Sequence, residues 1–379
     1  MKPRVYQVIT RLIAGGAQEN TLLLCQALQD RFDVTLVSGP PDGKEGSLVE
    51  EARRRGVPLI LVPDLVRPIS PRRDAAALRD LIRLFRRGRP QVVHTNSSKA
   101  GILGRAAAWR VGVPVVVHTN HGLPFYEEQP AVLRAFYWTL EKAAAAVTDR
   151  IVCVGEVLRR KSLEAHLGPP RLFEVIYNGF EPERFLGAVG VRSRLGIPEE
   201  VPVAGIVARM AWHKGHRFLV EAAPPGVHLL FVGDGEERPA LERRVAERGL
   251  RATFTGHVDP REVPGLLASM DVLVHPSLWE GLPRVAVEAL LVGRPVVAFD
   301  RDGVREVVLD GITGRLVPPK SVSALRAALE EILARPDRGR SLGRAGRERC
   351  LERFDGRRAA ERVAELYRTL LEGRGVRVL

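Results

Sequence analysis

The sequence is poor in cysteine and in aromatic residues. Its three cysteines, Cys25, Cys153 and Cys350, are scattered along the chain with no CxxC or metal-ligand spacing, which excludes a disulfide scaffold and a cysteine-rich zinc module. The apolar surroundings of Cys25 and Cys153 predict reduced packing residues. Aromatic side chains make up only 6% of the chain. A nucleic-acid-binding protein usually combines a basic stripe with aromatics or a known module, and neither is present.

Long apolar runs are also missing. No stretch reaches the length of a membrane span, and the N-terminal MKPRVYQVITRLIAGG has no signal-peptide cleavage pattern. We therefore expect a cytoplasmic protein. Attachment to the inner face of a membrane from the cytoplasmic side stays open.

Acidic residues are outnumbered by basic ones. There are 45 Asp and Glu against 58 Lys and Arg, a formal net charge of +13, and nearly all of the excess is arginine. An anionic membrane surface would attract such a protein. An arginine-rich coding bias would give the same composition, so charge alone does not identify a partner.

What the sequence does contain is a regular alternation of short β-type runs and longer helical stretches. A chain of 379 residues is longer than one core usually supports, and this alternation predicts two doubly wound α/β domains with parallel sheets. We expect a first domain at 1–185, a second at 186–355, and a C-terminal helix at 356–379 that could return to the first domain. Strands are predicted at 4–9, 33–38, 57–62, 91–96, 113–120 and 149–155 in the first domain, and at 201–209, 228–235, 252–258, 271–277 and 294–300 in the second.

Two helices carry features that the structure can test. Ser47 and Glu50 form a predicted capping box for the helix that follows them. The helix predicted at 131–142 places three consecutive aromatic residues (136–138) beside Arg134 and Lys142. Packing within the first domain is the favoured interpretation of that helix, and docking on an anionic membrane is the alternative.

The most informative segment is SLWEGLPRVAVEAL at 277–290. It follows a buried strand, and Pro283 is predicted to be the first residue of a helix. Glu280 and Glu288 flank this helix N-terminus, where free amides prefer anions. Glu280 precedes the turn and Glu288 lies beyond it, so complementing the helix dipole does not account for both.

Arg209 and Lys214 follow the end of an earlier strand of the same domain. Ligands of parallel α/β domains bind beyond the carboxyl ends of the strands, so these cations and the helix amides could cradle a diphosphate. The two glutamates would repel a bare diphosphate but would accept hydrogen bonds from sugar hydroxyls. A nucleotide sugar offers both groups.

At this point the sequence resembles a known family. The pair Arg209 and Lys214, the segments VGDGEE (232–237) and TGHV (255–258), and HPSLWEGLPRVAVEAL with its E-x7-E spacing are similar to the retaining glycosyltransferases of family 4. In the first domain, Gly15-Gly16, VVHTNSSKAGILGRAAA (92–108) and HTNHGLPFY (118–126) resemble members that build bacterial surface polysaccharides. The resemblance covers nearly the whole chain and implies the GT-B fold, two Rossmann-like domains facing a central cleft.

The resemblance also implies residue roles. Glu288 would bind the ribose, Glu280 a hydroxyl of the transferred sugar, and Arg209 and Lys214 the departing diphosphate, with His121 as the active-site histidine. His94 and His118 are weaker candidates within strands. The remaining donor-binding positions implied are Gly15, Gly16, Val258, Gly281, Leu282, Pro283 and Arg284. Neither a metal nor a cofactor is implied, and the departing phosphate would take the proton of the acceptor.

Two other motifs point elsewhere. Asp300-Arg301-Asp302 spells a D-x-D, a metal motif of a different glycosyltransferase fold, and we interpret it as a loop near the donor, with Glu306 as a candidate lining residue of the site. The segment GGAQE at 15–19 lacks the G-x-G-x-x-G spacing of a dinucleotide site.

The favoured prediction is a nucleotide-sugar-dependent retaining glycosyltransferase, with UDP the expected nucleotide. Its partners would be the donor, a hydroxyl acceptor on a glycan or lipid-linked glycan, and an anionic membrane surface. Two alternatives remain open: a sugar-nucleotide 2-epimerase of the same architecture, and a catalytically silent nucleotide-sugar-binding protein.

Overall fold

The computed structural model describes residues 2–41, 46–126 and 129–376. The chain divides into two compact units. Unit 1 combines Met1–Phe180 with Gly356–Leu379, and unit 2 is Glu181–Asp355.

Unit 1 contains a parallel sheet in the order β3-β2-β1-β4-β5-β6-β7. The order reverses beside β1, which pairs with both β2 and β4, so the loops after β1 and β4 flank a topological switch point. Every residue of β4 and β5 is buried, as expected for strands covered on both faces. The strands are β1 Arg4–Ile9, β2 Asp33–Ser38, β3 Leu59–Leu61, β4 Val92–Asn96, β5 Val115–Asn120, β6 Arg150–Cys153 and β7 Phe173–Val175.

The helices that connect these strands cover the sheet. They are α1 Gly16–Leu28, α2 Val49–Arg54, α3 Pro71–Gly88, α4 Ser98–Val111, α5 Ala131–Ala145 and α6 Glu156–Glu164. The capping box predicted for α2 is wrong, because the N-cap residue is Leu48 and Ser47 instead accepts a hydrogen bond from the Val49 amide.

Unit 2 contains a second parallel sheet, in the order β10-β9-β8-β11-β12-β13. Here β8 pairs with both β9 and β11, so the order reverses beside β8. The strands are β8 Val203–Val207, β9 His228–Val232, β10 Arg251–Phe254, β11 Val272–His275, β12 Val296–Phe299 and β13 Gly314–Val317; the helices are α7 His216–Ala222, α8 Arg238–Glu247, α9 Val263–Ala268, α10 Arg284–Val292, α11 Val304–Val307, α12 Val322–Leu333 and α13 Pro336–Arg353.

The last helix, α14 Gly356–Glu372, belongs to unit 1. Its apolar face joins the core formed by β1, β2, α1 and their neighbours. The fully buried Tyr367 places its hydroxyl against two polar side chains of the sheet, accepting from Gln7 Nε2 at 2.9 Å and hydrogen-bonding to His94 Nδ1. Buried contacts with residues far away in the sequence therefore hold this helix on unit 1.

The predicted fold class, two doubly wound parallel α/β units, is confirmed. The structure also contains elements that the sequence did not predict, notably β7, β13, α7 and α13. No helix among the described residues is long and apolar enough to span a membrane.

The helix with the aromatic run differs from the favoured expectation. Most of the first ten residues of α5 are exposed, and only Tyr137 and Leu140 among them are half-buried. Val132 is 84% exposed and Phe136 47%. Packing within unit 1 therefore accounts for the last turn of this helix, where Ala144 and Ala145 are buried, but not for Val132 and Phe136.

Candidate active site

Two loops at the carboxyl edge of the unit 2 sheet lie against one another. One follows β8 and carries Lys214, and the other follows β11 and carries Glu280. Gly215, with φ +73°, comes so close to the second loop that a Cβ atom there would lie 2.1 Å from the Pro276 carbonyl oxygen. The Leu278 amide donates to the His213 carbonyl at 2.8 Å. A side chain at position 215 would therefore separate the two loops.

This contact joins a cation and an anion that are far apart in the chain. Lys214 Nζ lies 2.6 Å from Glu280 Oε2, and the two side chains are only 22% and 21% exposed. His275 Nε2 lies 3.7 Å from the same carboxylate oxygen. The backbone amide of Glu280 donates to Asp302 Oδ2 at 2.9 Å. Glu280 is thus held at its backbone and at its side chain.

The electrostatics of this cluster keep the acid charged. Burial is the largest single influence on Glu280 and raises its pKa, but the charge and hydrogen bond of Lys214 together with His275 and His213 more than offset it, so the net pKa lies below the ordinary value. Burial lowers the pKa of His275 to about 4. At neutral pH the cluster therefore contains a carboxylate, an ammonium and a neutral imidazole.

A second acid–base pair lies on α10. Arg284 Nη2 is 3.4 Å from Glu288 Oε1, one helical turn away, and these side chains are 15% and 14% exposed. The predicted position of Pro283 is wrong by one residue: it is the N-cap of α10, and Arg284 is the first helical residue. Gly281, Leu282 and Pro283 separate Glu280 from the first residue of this helix, so Glu280 lies close in sequence to the helix N-terminus.

The other predicted residues of unit 2 follow the ends of neighbouring strands. Arg209 comes two residues after β8 and is exposed. Val258 lies beyond β10 and is half-buried. In the sheet order, β10, β9, β8 and β11 are consecutive, so these loops share one edge.

In unit 1, the predicted residues also lie at the carboxyl edge of the sheet. Gly15 is the N-cap of α1 and Gly16 its first residue. His121 follows β5, and its Nε2 lies 3.3 Å from Asn96 Oδ1 at the end of β4. The side-chain amide Nδ2 of Asn96 in turn donates to Gln7 Oε1 at 2.9 Å. The histidine loop is therefore tied to the central strands.

The two strand histidines are structural. His94 Nε2 hydrogen-bonds to Thr119 Oγ1 at 2.6 Å, and burial lowers its pKa to about 3. His118 Nδ1 hydrogen-bonds to Thr95 Oγ1 at 2.9 Å, and burial lowers its pKa well below the usual range. Both are satisfied, neutral core residues.

The sequence did not predict the role of Asp302. This residue, at φ +53°, accepts the Glu280 amide across 22 positions of sequence, whereas Asp300 pairs with Arg305. Both acids of the D-x-D segment thus make contacts within the protein, Asp302 with a backbone amide and Asp300 with an arginine side chain. The half-buried Glu306 receives a hydrogen bond on its carbonyl from Arg349. In the part of the chain that the structure describes, no group of three or more His, Cys, Asp or Glu side chains is placed to hold a metal ion.

Comparison with known families agrees with this arrangement. The family model for glycosyl transferases group 1 matches residues 191–349, and the model for glycosyltransferase family 4 matches residues 14–184. A 2-deoxystreptamine glucosyltransferase of Streptomyces kanamyceticus is 33% identical over 326 residues, which cover 78% of this chain and 82% of the relative. The chain belongs to the group 1 glycosyltransferases.

Other relatives of this glycosyltransferase extend over more of its length. The Escherichia coli UDP-Gal:alpha-D-GlcNAc-diphosphoundecaprenol alpha-1,3-galactosyltransferase is 29% identical over 87% of this chain and 88% of its own. Among solved structures, Anabaena HepE in complex with UDP and glucose superposes with a TM-score of 0.82 at 22% identity, covering 97% of this chain and all of its own. Sucrose-phosphate synthase of Thermosynechococcus elongatus gives 0.80 at 25% identity over 98% of this chain and all of its own. The predicted GT-B fold is thereby confirmed.

Proposed function

We propose that this glycosyltransferase moves a sugar from a UDP-sugar to a hydroxyl acceptor with retention of the anomeric configuration, and that the acceptor is lipid-linked. The observation that carries the proposal is the Lys214–Glu280 ion pair, whose acid precedes the first residue of α10 by four positions. Its two members have the chemistry that a nucleotide sugar requires.

A donor would exchange this ion pair for two separate interactions. The Lys214 ammonium would turn to the diphosphate, with Arg209 and the amides at the start of α10. Glu280 would accept hydrogen bonds from hydroxyls of the transferred sugar, and His275 would remain close to its carboxylate. Glu288 would bind the ribose. Charge that develops on the departing phosphate would thus meet Lys214, Arg209 and the helix amides.

The donor nucleotide and the acceptor class are inferred from relatives. The Anabaena structure holds UDP and glucose, and the Escherichia coli relative is named for a UDP-galactose donor and a diphosphoundecaprenol-linked acceptor. These names support UDP as the nucleotide and a lipid-linked glycan as the acceptor. Retention would proceed by front-side attack, with the departing phosphate accepting the proton of the acceptor hydroxyl.

A thermal-shift screen of nucleotide sugars tests the donor assignment, because a ligand of the native state raises its melting temperature. We expect Glu288→Ala to lower the affinity for UDP by about tenfold or more, because a hydrogen bond to a charged group is lost, and the thermal shift should fall accordingly. Glu280→Ala should retain UDP binding but lower turnover by about 10²-fold. Glu247→Ala, an exposed acid of α8, is the matched control. If all three variants behave alike, the assignments are wrong.

Product analysis separates the proposal from its alternatives. A transferase releases free UDP and extends the acceptor, and NMR of the new linkage reports retention. A 2-epimerase would instead yield an altered nucleotide sugar with no free nucleotide. UDP binding without turnover on any acceptor would favour a silent binding protein.

We also propose that α5 docks on an anionic membrane. Its outer face exposes Val132, Leu133 and Phe136 by 84%, 38% and 47%, beside the exposed Arg134. Apolar side chains can enter the headgroup region while basic ones meet anionic lipid. Binding to phosphatidylserine vesicles should weaken sharply with salt, and Val132→Asp should weaken it further at low salt. Salt-insensitive or absent binding would remove this proposal.

A further inference from the structure

Unit 1 contains a cavity of about 580 Å³ whose lining includes none of the predicted catalytic or donor-binding residues. It lies between the loop after β1, the loop before α3, and helices α4 and α5. Its volume is within the range of about 300–1,000 Å³ that is typical of small-molecule sites. The space is therefore large enough for an extended ligand.

One side of the cavity is apolar. Ile102 and Leu103 of α4 face it from one helix, and Phe136, Tyr137 and Leu140 of α5 face it from the other. A sugar or a nucleotide alone is too polar to cover these apolar side chains. A hydrocarbon chain would bury it, with a gain of about 25 cal/mol per Å² of apolar surface.

Another part of the lining is cationic. Arg11, Arg67 and Lys99 line the cavity together with two acids, Asp74 and Glu141. Asp74 is already paired, because its Oδ1 lies 2.5 Å from Lys99 Nζ. Arg67 is exposed at the mouth. Guanidinium groups match phosphate oxygens in a bidentate manner, so this side suits a phosphate or diphosphate.

Glu141, the other acid of the lining, would not repel a bound anion, because an arginine neutralises it. Glu141 lies 2.7 Å from Nη2 of Arg105, and these side chains are 9% and 0% exposed. The pair is an internal one between α4 and α5 and adds no net charge. Among the described lining residues, the cavity therefore presents a net positive side next to an apolar wall.

The apolar wall continues onto the outer surface. Phe136 lines the cavity and is also 47% exposed, and Ile69, on the other side of the mouth, is 58% exposed. Phe136 shares the outer face of α5 with Val132 and Leu133. A hydrocarbon chain leaving the cavity would meet apolar side chains rather than water.

We propose that this cavity binds the phosphate-linked end of a lipid: a phosphate or diphosphate on Arg11, Arg67 and Lys99, with the first part of its hydrocarbon chain between α4 and α5. The inference rests on the proposed function, since the lipid would be the carrier of the acceptor. It assigns the acceptor's carrier to residues of unit 1 that carry no role in donor binding.

Calorimetric titration of the full chain with farnesyl diphosphate below its micelle concentration tests the proposal. Farnesol and inorganic pyrophosphate are the two partial probes. We expect farnesyl diphosphate to bind at least tenfold more tightly than either. Arg67→Glu and Phe136→Ser should each weaken it by about tenfold, and both substituted side chains are largely exposed, so the variants should fold.

Two control variants change exposed residues close to these positions in the chain. Arg72→Glu changes an arginine of α3, five residues after Arg67, and Ala135→Ser changes the residue of α5 that precedes Phe136; neither lines the cavity, and both should bind farnesyl diphosphate as the parent does. Absent binding, equal binding of pyrophosphate or of farnesol, or equal loss in the control variants would overturn the proposal. The thermal response to UDP, measured on the same samples, shows separately whether the donor assignment has failed.

Discussion

Replacing Lys214 with Met is the sharpest test of the ion pair at the candidate site. The substitution keeps most of the apolar length of the side chain and removes the ammonium 2.6 Å from Glu280 Oε2. Breaking a fully buried pair costs about 3–5 kcal/mol, and exposed pairs contribute about 0–1 kcal/mol. Because both side chains are about one-fifth exposed, we expect unit 2 to lose about 2 kcal/mol of its free energy of unfolding at neutral pH.

The effect should depend on pH with a defined sign. In the parent protein the pKa of Glu280 lies below its unfolded value, so its ionisation stabilises the fold above the unfolded pKa, and this contribution disappears as the pH falls through the folded pKa. In Lys214→Met, burial remains without the cation, so the pKa of Glu280 should rise above the ordinary value. The difference in stability should therefore be largest near pH 7 and should shrink toward about pH 4.

Urea unfolding at several pH values measures this difference. Arg261→Met, which breaks the exposed Arg261–Asp259 pair of the same unit, is the control and should cost no more than about 1 kcal/mol. Glu280→Gln combined with Lys214→Met should recover part of the loss, since no unpaired carboxylate then remains. A loss in Lys214→Met that does not vary with pH would refute the reasoning.

Three further predictions concern contacts that hold the fold and the site. Tyr367→Phe should cost about 1–3 kcal/mol in urea unfolding, because the buried Gln7 Nε2 and His94 Nδ1 each lose the hydroxyl and keep only their contact with each other at 3.3 Å; an unchanged midpoint would contradict this. Gly343→Ala should destabilise unit 2 by about 1–3 kcal/mol, since the new Cβ would lie 2.0 Å from the Gly293 carbonyl oxygen, whereas Gly339→Ala in the same helix should be neutral or stabilising by up to about 1 kcal/mol. Asp302→Ala should lower turnover by about tenfold or more, because the backbone amide of Glu280 loses its acceptor. Asp302→Asn should retain most of the activity, because asparagine also offers an oxygen acceptor and tolerates the φ of +53° at this position.

The parallel α/β architecture could be predicted because its signals are local. Strands such as β4 and β5 are short β-branched runs buried on both faces, and Ser70-Pro71 correctly placed the start of α3. Each of the segments that identified the family is contiguous in sequence, and the longer ones span the carboxyl end of a strand and the loop or helix that follows it. Local propensity and motif order were sufficient for these features.

Other elements could not be predicted from local propensity. Helix α13 contains Gly339, Gly343 and Gly346, which disfavour a helix by about 1 kcal/mol each. The structure shows why two of them are there: Gly343 and Gly346 let the helix approach Gly293 and Leu290 closely. The packing energy of a neighbouring helix, which is not visible in the local sequence, overrides propensity.

The sequence by itself determined the fold class, the family and the acids and cations from which a site could be built. Only the tertiary structure decided their partners: Lys214 with Glu280 across 66 positions, Asp302 with the Glu280 amide, and Tyr367 with the sheet of unit 1. It also decided that Val132, Leu133 and Phe136 of α5 are exposed and that Tyr137 and Leu140 of the same helix line a cavity. Periodicity and capping act within a few residues of chain, whereas ion pairing, burial and cavities depend on which distant segments the folded chain brings together.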